Sequence, residues 1–362
     1  METDLTEAIT SGKLTSKTSL EDRDGGTRAT LEAARCLLGK IYLYQEKYAD
    51  AKSELEKVIS SGKYDLIADV STFYHPASAG CKEYVLECVR HYDPSNMYSQ
   101  EGWFGILANW GFGYGFIAGP EASMHYKFNT TSGYSYFNPS KSLYDAFVAE
   151  EGADGYRLNA WIRTWEQVIA MNIAVNTTTN KYASEGYFRL KWLASTDDEF
   201  VGYWCGNQSN TPVIRYADVL LMAAEACLQA GDQAGADEYL GRVRDRARLP
   251  RKSHVTLSDI KLERRLELAM EGMRFQDLKR WGDAPAVLAD KGKKLPTFQI
   301  VPDPNNDLTT AAGIYNARYT TKTTYVDNEK SLAGWTPNRD EWLPFPENEL
   351  EVNSNLKQNP GY

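Results

Sequence analysis

Between Thr27 and Ser61, apolar residues fall at the spacing of two successive helices. Leu31, Ala34, Leu38 and Ile41 line one face of the first, and Ala51, Leu55, Val58 and Ile59 line the second. A polar turn at Glu46 to Tyr48 separates them, so the pattern predicts an antiparallel helical hairpin over 27–61. Gly39 with Tyr42, and Ala51 with Leu55, reproduce part of the tetratricopeptide pattern, in which small residues let paired helices approach closely. A second hairpin is expected within 214–282, where Ala224, Leu228, the Gly231 turn, Ala236 and Leu240 take matching places. The two copies are far apart in sequence. If they stack, the stretch between them is looped out, and loops carried by a rigid helical stack are a common place for binding.

That insertion, 91–205, has its own character. Twelve of the forty residues from Tyr98 to Phe137 are aromatic, against 12% for the whole chain, and many alternate with glycine in "EGWFGILANWGFGYGFIAG". Regular structure is not expected there. The run from Gly102 to Pro120 is long enough to span a membrane but contains six glycines, each costing a helix about 1 kcal/mol relative to alanine, so it reads as loop. Order is expected to return at "NPSKSLYDAFVAE", with Asn138 as cap and Pro139 at the first helical position. The tail, 295–362, is read as loop-rich, since its prolines and asparagines oppose long helices.

Composition narrows the functional classes. A net charge of −9 argues against nucleic acid, whose phosphates demand a dense Lys/Arg surface. The five cysteines include no CxxC pair and the four histidines are scattered, so no zinc spacing is present; Cys36 and Cys227 are expected in the core. No metal or other cofactor is expected. The segment "METDLTEAIT" lacks the charged start and apolar run of an export signal and reads like mid-helix, so the natural chain is expected to begin upstream of Met1.

The densest run of charge is "LERRLELAMEGMRFQDLKRWG", residues 262–282. Leu262, Leu266, Ala269, Met270, Met273, Leu278 and Trp281 can line one face of a helix interrupted at Gly272. Arg264, Arg265, Glu267, Glu271, Arg274, Asp277 and Arg280 are then left to pair along the remainder. A glycosidase would need Glu267 and Glu271 as acid and base. One helical turn apart among arginines, both would stay ionised, whereas a general acid needs a raised pKa. The stretch is read as scaffold, and no catalytic residue is assigned.

These motifs carry a resemblance. "VIRYADVLLMAAEACLQAGD", "VRDRARLP", "LERRLELAMEGMRFQDLKRWGD" and the terminal "LPFPENELEVNSNLKQNPGY", in that order, resemble the SusD/RagB family of outer-membrane nutrient-binding lipoproteins. "NPSKSLYDAF" and the first hairpin fit as well, so the likeness spans nearly the whole chain as one domain, 1–362. It implies a mostly α fold: a stack of tetratricopeptide-like hairpins with a large loop-rich insertion and an irregular C-terminal region. It also implies a lipid-anchored cell-surface protein that captures an oligosaccharide or polysaccharide and passes it to a SusC-like TonB-dependent transporter. The family's lipid-bearing cysteine and more than a hundred residues before the first hairpin have no counterpart in these 362 residues.

The aromatic insertion is the expected ligand site. Sugar rings lay their C–H faces on Trp and Tyr rings while polar side chains bond the hydroxyls. Trp103, Trp110, Tyr98 and Tyr114 are the stacking candidates, with Asn109 as polar partner. Trp161, Trp165, Trp192 and Trp204 are expected to be buried. Peptide capture, glycoside hydrolysis and a pure tetratricopeptide scaffold are the rival readings. "GFGYGF" lacks the strand and Lys-Ser/Thr of a phosphate loop. "DPNND" places Asp303, Asn305 and Asp307 at calcium-loop spacing without the glycine and glutamate that complete one, and reads as an acidic turn.

Overall fold

The computed structural model describes residues 1–89, 138–170, 181–182, 185–191, 210–307, 309–310, 312–313, 318–329 and 333–362. Helices α1 (Glu2–Thr10), α2 (Leu31–Tyr44) and α3 (Tyr48–Ser60) open the chain. Next come α4 (Lys141–Glu151), α5 (Tyr156–Trp161) and α6 (Trp165–Ala170), then α7 (Tyr216–Gln229), α8 (Gln233–Arg246), α9 (Leu257–Glu267), α10 (Arg274–Arg280) and α11 (Ala284–Val287), with α12 (Glu347–Val352) in the tail. Strands β1 (Tyr84–Cys88), β2 (Ile162–Thr164), β3 (Lys181–Tyr182), β4 (Tyr187–Arg189), β5 (Thr211–Arg215), β6 (Lys294–Pro302) and β7 (Tyr319–Asp327) form small antiparallel sheets ordered β1-β5, β2-β4 and β3-β6-β7. The fold is thus mostly helical.

Both expected hairpins are present, α2–α3 and α7–α8, and they stack on one core. Leu43, Ala51, Leu55 and Val58 share it with Val219, Leu220, Ala223 and Leu240. Gly39 shows why a small residue is needed: a Cβ there would sit 2.8 Å from Leu55 Cγ, so any side chain would push the helix pair apart. Caps close the ends. Thr30 Oγ1 accepts from Ala33 N, Asp232 from Gly235 N, and Thr256 and Asp259 form a reciprocal capping box at the start of α9. Cys36 and Cys227 are fully buried, as expected of small core residues.

A second cluster joins the ordered part of the insertion to the charged motif: Phe147, Leu158, Trp161 and Ile162 pack with Leu266 and Ala269. Trp161 and Trp165 are buried, as the sequence suggested, while Trp192 and Trp204 lie outside the described residues. Two expectations need correction. The cap of α4 is Ser140, whose Oγ accepts from Leu143 N, so Asn138 and Pro139 precede the helix. The tail also begins with a regular element, because β6 and β7 pair over nine residues each, from Lys294↔Asp327 to Pro302↔Tyr319. The sixteen residues between those strands hid the pairing, since no short turn announces a hairpin. Beyond the ribbon, the described tail holds one short helix, α12. No helix among the described residues is long and apolar enough to cross a membrane.

Candidate functional site

The charged motif folds as two helices, α9 and α10, separated by Leu268 to Met273, with Met270 and Gly272 both at positive φ. Its apolar side packs inward as expected at Leu266, Ala269 and Leu278. Some of its charges pair within the motif and others reach neighbouring elements. Arg264 and Arg280 do bond Asp277 within the motif, and Arg264 also reaches Asp218 at 2.7 Å while Arg280 reaches Glu225. Glu267 and Glu271, however, turn away toward cations from distant parts of the chain, and Arg274 has no ion pair among the described residues.

Glu267 is completely buried and accepts hydrogen bonds from Arg157 Nη1 at 3.1 Å, from Arg215 Nη2 at 3.1 Å and from Arg246 Nη2. Glu263 bridges Arg157 and Arg244, and Glu83 on the approach to β1 bridges Arg215 and Arg246. Glu271 takes Arg215 and the Lys191 ammonium, whose Nζ also donates to the carbonyls of Glu267 (3.0 Å) and Ala269 (3.1 Å) and stands 3.8 Å from the Trp161 ring centroid. Burial alone would raise the pKa of Glu267, but Arg246, Arg215, Arg157 and Lys191 together hold it below the usual carboxylate range. Glu271 is likewise lowered, by Arg215 and Lys191 against the effect of burial. Burial pushes Glu83 and Glu151 upward, yet both are sealed from solvent and held by arginine. Each of these carboxyls is held in an ion pair with a buried arginine.

This charge layer also sits where the insertion leaves the scaffold. Strand β1 carries the chain into the insertion and β5 receives it back, with Cys88 opposite Thr211. Glu87 clasps that root, accepting from Asn210 Nδ2 at 3.0 Å and Gly80 N at 2.8 Å. The predicted ligand-contacting residues Tyr98, Trp103, Asn109, Trp110 and Tyr114 lie outside the described residues, as does the "GFGYGF" run. The "DPNND" run is a pair of local turns: Asp303 accepts from Asn305 N, and Asp307 from Thr309 N. One metal-like grouping is present among the described residues, Glu56, Cys227 and Asp232, with ligand atoms within 4.8 Å of one another. Lys52 already satisfies it, 2.6 Å from Asp232, and burial pushes the Cys227 thiol up to about 12, which disfavours the thiolate a metal needs.

Sequence alone did not point to Arg157, Lys191, Arg215 or Arg246 as partners of the motif. The available signal was an isolated cation in apolar company, as in "PVIRYADVLL" around Arg215 and "FRLKWLA" around Lys191, since a buried charge requires a partner.

Two tetratricopeptide-like hairpins stack on one core and are braced by buried ion pairs, and the sequence between them is long and rich in aromatic residues. The chain belongs to the SusD family, whose model matches residues 82–362. It is similar to SusD-like protein P2 of Formosa agariphila, 26% identical over 362 aligned residues that take in 91% of this chain and 59% of that protein. A SusD-like protein of Bacteroides ovatus is 31% identical over 170 residues, 42% of this chain and 29% of that one. The chain therefore spans less than two thirds of the length of these relatives. Among solved structures, a laminarin-binding SusD-like protein superposes with a TM-score of 0.72 at 28% identity, covering 100% of this chain and 68% of that one. The surface glycan-binding protein A of Bacteroides thetaiotaomicron, solved with laminarihexaose, shares the fold at a TM-score of 0.70 and 23% identity.

Proposed function

We propose that this chain belongs to a cell-surface binding protein that captures an oligosaccharide or polysaccharide and delivers it, uncut, to a SusC-like TonB-dependent outer-membrane transporter. The observation that carries the reading is the similarity, along the whole chain, to a laminarin-binding protein of the same family. Laminarin is therefore the first ligand to try. The buried charge layer supports a role without catalysis, because its carboxylates are taken up as ion-pair partners within the scaffold. Capture is assigned to the insertion, with Trp103, Trp110, Tyr98 and Tyr114 stacking on sugar rings and Asn109 bonding a hydroxyl.

Each stacked ring contributes about 1–2 kcal/mol. Trp103→Ala combined with Trp110→Ala should therefore weaken retention on a laminarin affinity gel at least about tenfold, which is about 1.4 kcal/mol, with an unchanged circular dichroism spectrum. Equal retention of the double variant and the parent would remove these tryptophans from the site.

A further inference from the structure

At the edge of the scaffold, Glu185 ties a tyrosine of β7 to the start of α4, near a stacked pair of tyrosines on α4 and β4. Tyr144 on α4 and Tyr187 on β4 stack with ring centroids 4.5 Å apart and planes 28° from parallel. Tyr325 on β7 donates its hydroxyl to Glu185 Oε1 at 2.6 Å, while Glu185 Oε2 accepts from the backbone N–H of Lys141 at 2.6 Å. Gly186 makes this possible. It lies flat on the Phe298 ring at φ +87, and a Cβ there would come within 2.6 Å of Phe298 Cε2, so only glycine lets the chain set Glu185 against the ribbon. Tyr325 projects from the same ribbon face as Phe298, since it is two residues beyond Thr323, the partner of Phe298.

Tyr144 and Tyr187 are braced from behind by the Phe147–Trp161 cluster, which accounts for their stacking. Core packing does not account for Tyr325. Half of its surface is open to solvent, yet a short charge-assisted bond fixes its ring. That bond to Glu185 is also the main reason the Tyr325 hydroxyl is pushed up to about 12. Beside the rings, Lys141 and Asp145 form an exposed ion pair at 2.6 Å, which offers both donors and an acceptor. A fixed, half-open aromatic ring with charged hydrogen-bonding groups at its margin suits a pyranose. The ring takes the C–H face and the charged pair takes the hydroxyls, and the prior fixing of the ring reduces the ordering cost of binding.

We propose that Tyr325, fixed by Glu185 and lying near the Tyr187–Tyr144 pair and the Lys141–Asp145 ion pair, is a saccharide subsite on the scaffold, additional to the aromatic insertion. It rests on the glycan-binding reading above. Glu185 acts as a positioning residue for the Tyr325 ring.

Calorimetric titration with laminarihexaose, on the 362-residue chain, tests it. Tyr325→Ala should weaken binding at least about tenfold. Tyr325→Phe, which keeps the ring and frees it from Glu185, should weaken it about threefold. Neither should move the melting temperature by more than about 1 °C, because the side chain is half exposed. Tyr325→Ala binding like the parent, while the Trp103 and Trp110 double variant loses binding, would overturn the subsite alone. A parent chain that gives no binding heat would overturn laminarin as the ligand of the glycan reading and the subsite with it.

Discussion

Replacing Glu267 with alanine removes the carboxylate on which Arg157, Arg215 and Arg246 converge. All four side chains are almost completely sealed from solvent, so the arginines cannot turn to water instead. Removing one member of a buried ion network costs about 3–5 kcal/mol, because the remaining charges lose their partner while staying desolvated. A cooperatively unfolding chain of this length gains entropy worth about 0.8 kcal/mol per degree, from about 2.1 cal/mol/K per residue, so a loss of about 4 kcal/mol lowers the melting temperature by about 5 °C. Differential scanning calorimetry of Glu267→Ala measures that directly, and Arg274→Ala is the matched control. Arg274 belongs to the same motif but has no ion pair among the described residues, so its loss should shift the transition by less than about 1 °C. Laminarin retention well below the transition should be unchanged in both. A Glu267→Ala protein that melts within a degree of the parent would refute the claim that this network braces the scaffold. One that melts normally but loses ligand would make the motif part of the binding site.

Three further outcomes follow from the same structure. Burial pushes the Lys191 ammonium down to about 8, so between pH 8 and its unfolded value of about 10.4 the unfolded chain binds more protons and stability rises with pH. Lys191→Met removes that rise, and the parent should gain on the variant in melting temperature between pH 8 and 10; a constant gap would contradict it. Gly39→Val forces a side chain against Leu55 and should cost about 1–3 kcal/mol by chemical denaturation, while a neutral result would show that the hairpin spreads freely. Thr256→Ala opens the capping box of α9 and should cost about 1 kcal/mol in the same assay, and an unchanged midpoint would show the box to be dispensable.

The helical hairpins were legible because their signal is local. Apolar spacing, Gly39, the Gly231 turn and the polar turn near Glu46 all speak within one or two helical turns. The ion network was not legible, since nothing near Glu267 names Arg157 or Lys191 as its partner; those contacts exist only once β4 and α5 dock on α9. The β6–β7 ribbon was hidden for a related reason, its strands being joined by a long connection, with the threonine-rich run "YTTKTTYV" as the one local hint. Composition alone marked the aromatic insertion. Tyr325 passed unnoticed because a lone tyrosine in a threonine-rich strand acquires meaning only when folding sets Glu185 against it.

The most direct test of capture without catalysis is one titration whose ligand is then recovered. Laminarihexaose titrated into the 362-residue chain should give saturable binding heat, and after a day at the same temperature chromatography should return only the intact hexasaccharide. Absence of binding heat, or shorter sugars released reproducibly and lost on changing a single Asp or Glu, would contradict the account.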